Sequence, residues 1–445
     1  MKQILILGGG KSSTFLIDYL VAQAVEKHRE IILADLDSSA AEKKLRNRPN
    51  TRAEALDISN AERRRDLIEE SDLVISMLPA RLHPLIAEDC VALGKHFFSA
   101  SYESKEIRAL RSQIEEKGLF FLNECGLDPG IDHMSAMKII DEAKAKGEEI
   151  VSFKSYAGGL LSPECEDNPW KYKFTWNPRN VVLAGQGMSR YIEQSRLKYI
   201  PYHQLFKRIK PIHFKGLGEY EGYPNRDSLG YRKTYGLENI PTMLRGTLRR
   251  TGFCKAWDIL VQLGLTDDSI ELNPPQGSSK RDFLNSFLPF DTDRSVEEKL
   301  TDFFPEMDFP TFEKIQWTGL FSHDPLPIYQ GSPAQILQAI LEKEWALEEN
   351  DRDMIVMQHQ FEILKGDKTQ KLLSSLIVKG ENASLTAMAK TVGLPLAIAV
   401  DLFLEGKIEM KGLHLPIKPE IYLPILEKLE EFGIRFEEEI VDQTN

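Results

Sequence analysis

From residue 1 to about 125 the chain repeats one pattern: a short apolar run, a turn, then an amphipathic stretch. The runs are Ile4 to Leu7, Ile31 to Ala34, Leu73 to Met77, His96 to Ser99 and Leu119 to Leu122. Stretches of helical period such as Ala61 to Glu70, Pro84 to Leu93 and Ile107 to Lys117 separate them. Apolar runs this short, alternating with helices, predict βαβ units around a buried parallel sheet. From about residue 130 the pattern changes. A helix over Ser135 to Ala145 leads into alternating segments at Ile150 to Tyr156, Tyr172 to Trp176 and Tyr220 to Tyr223, which predict a mixed or antiparallel sheet. Lys255 to Leu263, Lys280 to Phe287, Ser295 to Phe303 and Ser332 to Leu347 predict helices between Pro-rich breaks. Asp353 to Ile363 and Gln370 to Lys379 again read as strands, and Ser384 to Leu404 and Pro419 to Phe432 as helices.

The first apolar run ends on Gly8-Gly9-Gly10-Lys11-Ser12-Ser13, with a helical stretch from Thr14. Gly-x-Gly-x-x-Ser on a strand, turn and helix fits a Rossmann-type doubly wound α/β domain that seats a dinucleotide pyrophosphate. Gly8 permits the turn, Gly10 lets the backbone approach the phosphates, and Ser13 is small enough for close helix packing. A P-loop is excluded, because the glycine it requires before Gly10 is replaced by Leu5, inside the strand. Asp35 ends the second run, where a carboxylate accepts from an adenosine ribose and repels a 2′-phosphate; it predicts NAD, with NADP possible. Asp57-Ile58 is expected beside the adenine, and Leu78-Pro79 and Ser99 at strand ends complete the cofactor set with Lys11 and Ser12.

Composition narrows the class further. A formal net charge of −12 opposes phosphate backbones, so no nucleic acid is expected, and the basic, aromatic stretch Arg196 to Lys215 reads as a solvated surface. Leu385 to Ile408 superficially resembles a helix-turn-helix, but its alanines suit close packing of helices. No apolar run approaches the roughly 18 residues of a membrane span. Cys90, Cys125, Cys165 and Cys254 stand singly, which predicts no metal site and suits a reducing cytoplasm. Met1 runs directly into the first strand, so no secretory leader is expected. Cys125 reads as a buried small hydrophobe and His133 as structural.

The most distinctive segment is Asn123-Glu124-Cys125-Gly126-Leu127-Asp128-Pro129-Gly130-Ile131-Asp132-His133. Together with Ser99-Ala100-Ser101-Tyr102, Tyr156-Ala157-Gly158-Gly159-Leu160, Tyr172-Lys173-Phe174-Thr175-Trp176, Tyr223-Pro224-Asn225-Arg226-Asp227-Ser228 and Arg245-Gly246-Thr247-Leu248-Arg249, it resembles the glutamate-forming saccharopine dehydrogenases. The likeness spans nearly the whole chain. It implies a dinucleotide-binding domain (1–128 and about 384–445), an α+β substrate-binding and dimerisation domain (129–254 and about 348–383), and a small helical insertion (255–347). It also implies a homodimer and a reaction of lysine metabolism. In that reaction L-glutamate and L-2-aminoadipate 6-semialdehyde are joined through an imine that is reduced to saccharopine, or the reverse. Related semialdehyde-amine reductases of carboxynorspermidine-dehydrogenase type, and non-catalytic nucleotide binders, are the alternatives.

Saccharopine carries three carboxylates, which need fixed cations, and Arg226, Arg245 and Arg249 have the forks for them. By motif position Ser101, Tyr102, Asp128, Lys173, Arg226, Thr247 and Arg249 look like the substrate contacts. Asp128 and Tyr102 are the expected catalytic proton relay, with Lys173 a third member. Where many relatives carry cysteine, this chain has Ala157.

Overall fold

The computed structural model describes residues 1–441; the last four residues of the expected 384–445 segment lie outside the described residues. The chain divides into a unit of Met1–Glu149 with Leu376–Glu437 and a unit of Ile150–Ser375 with residues from Glu438 onward.

Strands β1 (Lys2–Leu7), β2 (Arg29–Asp35), β3 (Thr51–Ala55), β4 (Leu73–Ser76), β5 (His96–Ser99) and β6 (Phe120–Leu122) build the sheet of the first unit. Strands β7 (Glu149–Leu161), β8 (Met188–Glu193), β9 (Arg196–Pro201), β10 (Lys210–Phe214), β11 (Gly218–Pro224), β12 (Thr242–Arg250), β13 (Asp353–Lys365) and β14 (Lys368–Lys379) follow. Then β15 (Gly412–His414) returns to the first sheet, and β16 (Phe436–Val441) ends the described chain. The first sheet runs β15-β6-β5-β4-β1-β2-β3 with every pair parallel. Its order reverses between β1 and β4, the switch point at whose carboxyl ends doubly wound sheets bind ligands.

Two of its strands depart from the sequence expectation. Thr51–Ala55 has no apolar run because β3 is an edge strand, half-buried and flanked by pairs of Glu54 with Arg52 and Arg63. Gly412–His414 is too short for periodicity to show. The expected strand at Tyr172 to Trp176 is irregular. Its alternating aromatics instead pack edge-to-face on Trp345 and Phe253.

The helix Ala387–Leu404, capped by the Thr386 hydroxyl on the Ala389 amide, closes the first unit. Gly393 makes this possible: a Cβ there would lie 2.8 Å from the Leu16 nitrogen. This is the helix-turn-helix look-alike, and its buried position leaves it no recognition face. Contrary to the expectation on apolar runs, it is also long and apolar enough to cross a membrane, but 78% of it is buried inside the fold. Asp401 on it receives Lys27 and Arg29, both at 2.7 Å, and the Tyr19 hydroxyl.

In the second unit β10-β11-β12-β7-β13-β14-β16 run side by side, with β8 pairing β12 and β9. The helices expected over 255–347 share one apolar core with this sheet: Trp257, Leu337 and Trp345 cluster with Tyr156, Leu248 and Met354. They fall between β12 and β13 in the chain and belong to the same compact unit as this sheet.

Candidate active site

The glycine loop is held from several directions. Gly8 sits at φ 100°, where a side chain is strained and a Cβ would meet the Met77 carbonyl at 3.0 Å. The Gly9 amide donates to Asp35 Oδ2 at 2.6 Å. The Lys44 ammonium lies on the Gly10 carbonyl and on the hydroxyls of Ser13 and Thr14. Burial pushes the Lys44 pKa down to about 8, with Asp35 and Asp18 acting against the shift. A Cβ on Gly10, in contrast, would meet nothing within 4 Å. Open space at a glycine just ahead of the short helix Lys11–Ser13 and the helix Thr14–Ala22 is what a pyrophosphate requires. The residues present therefore fit a nicotinamide dinucleotide.

Asp35, the last residue of β2, and Asp37 just beyond it are placed differently. Asp37 caps the helix Ser38–Leu45 by accepting from the Ser39 and Ala40 amides, whereas Asp35 stays half-buried on the loop itself. Asp57 is exposed and accepts from the Ser59 amide and hydroxyl, which hold its carboxyl below the usual range. Ile58 and Leu78 pack on the sheet's core, and Pro79 opens the short turn Ala80–Leu82. Ser99, expected to bind cofactor, is wholly buried and its hydroxyl accepts from the Ser101 amide at 3.1 Å. That bond shapes the turn after β5.

At the carboxyl ends of β5 and β6 the Tyr102 hydroxyl donates to Asp128 Oδ1 at 3.3 Å. Asp128 is carried by a loop that only glycine can close: Gly130 is at φ 146° and a Cβ there would lie 2.1 Å from the Gly126 carbonyl. Beside this pair, Ser101 bonds through its hydroxyl to His83 Nε2 at 2.7 Å, and His83 Nδ1 bonds to the Ser76 hydroxyl at 2.8 Å. His83 and Ser76 were not apparent from the sequence; serines at the ends of neighbouring strands were the available signal. His133 is fully buried against Glu124 at 2.8 Å, a structural position. Cys125 is buried, and burial raises its thiol pKa.

In the second unit Arg245, Thr247 and Arg249 alternate along β12, so that they share one face. Thr247 stands opposite Tyr223 on β11 and Ala157 on β7, which places the departure from the family cysteine beside a predicted contact. Arg249 is 4% exposed, lies over the rings of Tyr172 and Phe253 at 5.2 and 5.3 Å, and gives one hydrogen bond, to the Leu248 carbonyl. Its Nε has no partner, and no carboxylate pairs with it among the described residues. Arg245 lies over the Tyr231 ring at 4.1 Å. Arg226 is exposed at φ 45°. Its acidic neighbours are engaged elsewhere: Asp227 with Arg190, and Glu221 with the amides of Gly252 and Cys254.

Lys173 does not fit the proton relay. It is buried, and its ammonium is held by Asp167 at 2.7 Å and Asp351 at 2.8 Å. Burial opposes the charge, but these two carboxylates outweigh it and raise the pKa. Its ammonium is thus engaged by two carboxylates of its own unit. Among the described residues no group of three His, Cys, Asp or Glu side chains is placed to hold a metal ion.

Comparison with known proteins gives consistent matches along the chain. Residues 4–122 match the family described as saccharopine dehydrogenase NADP binding domain, and residues 126–434 the saccharopine dehydrogenase C-terminal domain. A saccharopine dehydrogenase [NADP(+), L-glutamate-forming] of Schizosaccharomyces pombe is 32% identical over 462 residues, covering 100% of both chains. The mitochondrial alpha-aminoadipic semialdehyde synthase of Bos taurus is 34% identical over 450 residues, covering 98% of this chain. The match takes in 47% of that protein, so the chain spans about half the length of such relatives. The structure of an apo saccharopine dehydrogenase (L-Glu forming) from Saccharomyces cerevisiae superposes with a TM-score of 0.90 at 31% identity, covering 99% of this chain and 100% of that one.

Proposed function

Since the chain belongs to the saccharopine dehydrogenase family, we propose that it interconverts saccharopine with L-glutamate and L-2-aminoadipate 6-semialdehyde. The observation that carries this reading is Arg249. A buried guanidinium without a carboxylate is costly unless a ligand supplies one, and saccharopine has three. Arg226, its acidic neighbours occupied by other partners, offers a second fork, and Thr247 a hydroxyl on the same face as Arg249.

The dinucleotide, when bound, accepts or donates the hydride. In the oxidative direction saccharopine and water become L-glutamate, the semialdehyde and a proton as the dinucleotide is reduced. Hydride departs from the carbon that becomes the aldehyde, so the adjacent nitrogen must carry a free lone pair. Asp128 takes the proton that frees it, and the Tyr102 hydroxyl, bonded to the same carboxylate, passes protons during addition of water and loss of glutamate. The substrate's own amine shares this work, so no single residue is an obligatory base. Asp35 favours NAD over NADP by its charge, although the fungal relatives are named for NADP.

The same proposal sets the enzyme in a reducing cytoplasm as a homodimer. Free cysteines at Cys90, Cys125, Cys165 and Cys254 support the first. Exposed Met188, Leu197 and Tyr199 on the β8–β9 hairpin support the second. Absorbance at 340 nm on adding L-saccharopine with NAD⁺, with identification of the amino acid released, tests the activity; glutamate is expected, and lysine would refute it. Sedimentation of the purified chain tests the dimer.

A further inference from the structure

Ser76, His83 and Ser101 form a line of hydrogen bonds from the carboxyl end of β4 to the turn after β5. Ser76 and His83 are 1% and 2% exposed, while Ser101 is half-buried and precedes the Tyr102 that meets Asp128. Both ring nitrogens are occupied by hydroxyls, at 2.8 and 2.7 Å. A neutral imidazole has one donor and one acceptor nitrogen, so the chain of bonds must have a direction. Burial pushes the His83 pKa down to about 4, which keeps the ring neutral at working pH. The turn around Ser101 is fixed independently: its amide donates to the Ser99 hydroxyl and its carbonyl accepts from the Glu124 amide. Only the Ser101 hydroxyl is left for the ring to orient.

We infer that His83 is a positioning residue which turns the Ser101 hydroxyl into a donor aimed at a carboxylate of the substrate. The Ser76 hydroxyl donates to Nδ1, the Nε2–H donates to Ser101 Oγ, and the Ser101 proton is thereby free to go to an acceptor-only ligand. The opposite tautomer would present an oxygen lone pair to an anion. Hydrogen bonds in such a chain polarise one another, so the last donor is stronger than an isolated serine. This rests on the saccharopine reading, and deepens it by naming a residue that directs a carboxylate contact.

Steady-state kinetics of His83→Asn, His83→Gln, Ser76→Ala, Ser101→Ala and the double variant H83N/S101A test the relay, with NADH affinity followed by fluorescence. Asparagine retains the bond towards Ser76 and loses that to Ser101; glutamine reaches Ser101. H83N and S101A are each expected to raise the saccharopine KM about tenfold, with kcat and NADH affinity changed less. The double variant should be no worse than S101A, and H83Q should recover most of the loss. Ser76→Ala should raise KM in the same sense and carries the test if H83N does not fold. An unmoved KM in folded H83N or S76A, or additive effects in the double variant, would overturn the relay. Nitrogen-15 spectra of the histidines with saccharopine bound should show His83 as the Nε2–H tautomer; the Nδ1–H tautomer would equally overturn it. Silence of the unmodified chain towards saccharopine would overturn the underlying reading, whereas normal turnover with unmoved variants would overturn only the relay.

Discussion

Removing one partner of a buried ion pair typically costs about 3 to 5 kcal/mol, and Arg249 holds the equivalent of that orphaned charge, with rings and a neighbouring carbonyl but no paired carboxylate around it among the described residues. Arg249→Met should therefore raise the thermal midpoint by about 2 to 6 °C while raising the saccharopine KM about 30- to 100-fold. A fall in the midpoint would make Arg249 a structural residue. His83 gives a pH signature. Its pKa is about 4 when folded against 6.5 ordinarily, so the unfolded chain binds more protons between those values. The stability tied to its neutral ring is complete above about pH 6.5 and is lost as pH falls towards 4, by about 3 kcal/mol at the end of that window. Midpoints measured from pH 7 to 5 should fall less steeply in His83→Gln than in the parent; equal slopes would contradict the assignment. At this scale the sequence was informative where a residue type states its own need. The motifs single out Arg249 and Asp128 as polar groups with work to do, whereas the surroundings of Lys173 could not be read, because its carboxylates come from Asp167 and the distant Asp351.

Among the elements, the β1 loop and the end of β2 act together through Asp35, which braces Gly9 and, in the proposal, also meets the adenosine ribose. Asp35→Asn separates the two functions, since the amide oxygen still accepts from Gly9 while the charge is gone. NADP⁺ turnover is expected to rise at least about tenfold relative to NAD⁺, with NAD⁺ turnover largely kept. An unchanged ratio would reduce Asp35 to a loop brace. The strands of the first sheet were legible in the sequence wherever both faces are buried, as in β1, β4 and β5. Edges were not: β3 is polar because one side meets solvent, and β15 has only three residues. The alternation at Tyr172 to Trp176 has strand period without strand pairing, because aromatic packing in a loop produces the same pattern.

Over the whole molecule, the chain leaves the first unit near Glu149 and comes back to it near Leu376. Periodicity alone could not show this return; the family resemblance implied it, and Gly393 and Asp401 show how it is made. Asp401→Asn would leave Arg29, 4% exposed, without its carboxylate. The expected cost is about 3 kcal/mol, seen as an earlier unfolding transition and weaker NADH binding with saccharopine contacts intact. A midpoint within 1 °C of the parent, roughly the scatter of a surface substitution, would deny the C-terminal helix that role.

The most direct test of the central claim is the 340 nm progress curve with L-saccharopine as the only substrate, run with NAD⁺ and then NADP⁺, the released amino acid being identified. Formation of L-glutamate, faster with NAD⁺, is the expected result. Release of lysine, or no reaction with either dinucleotide, would contradict it.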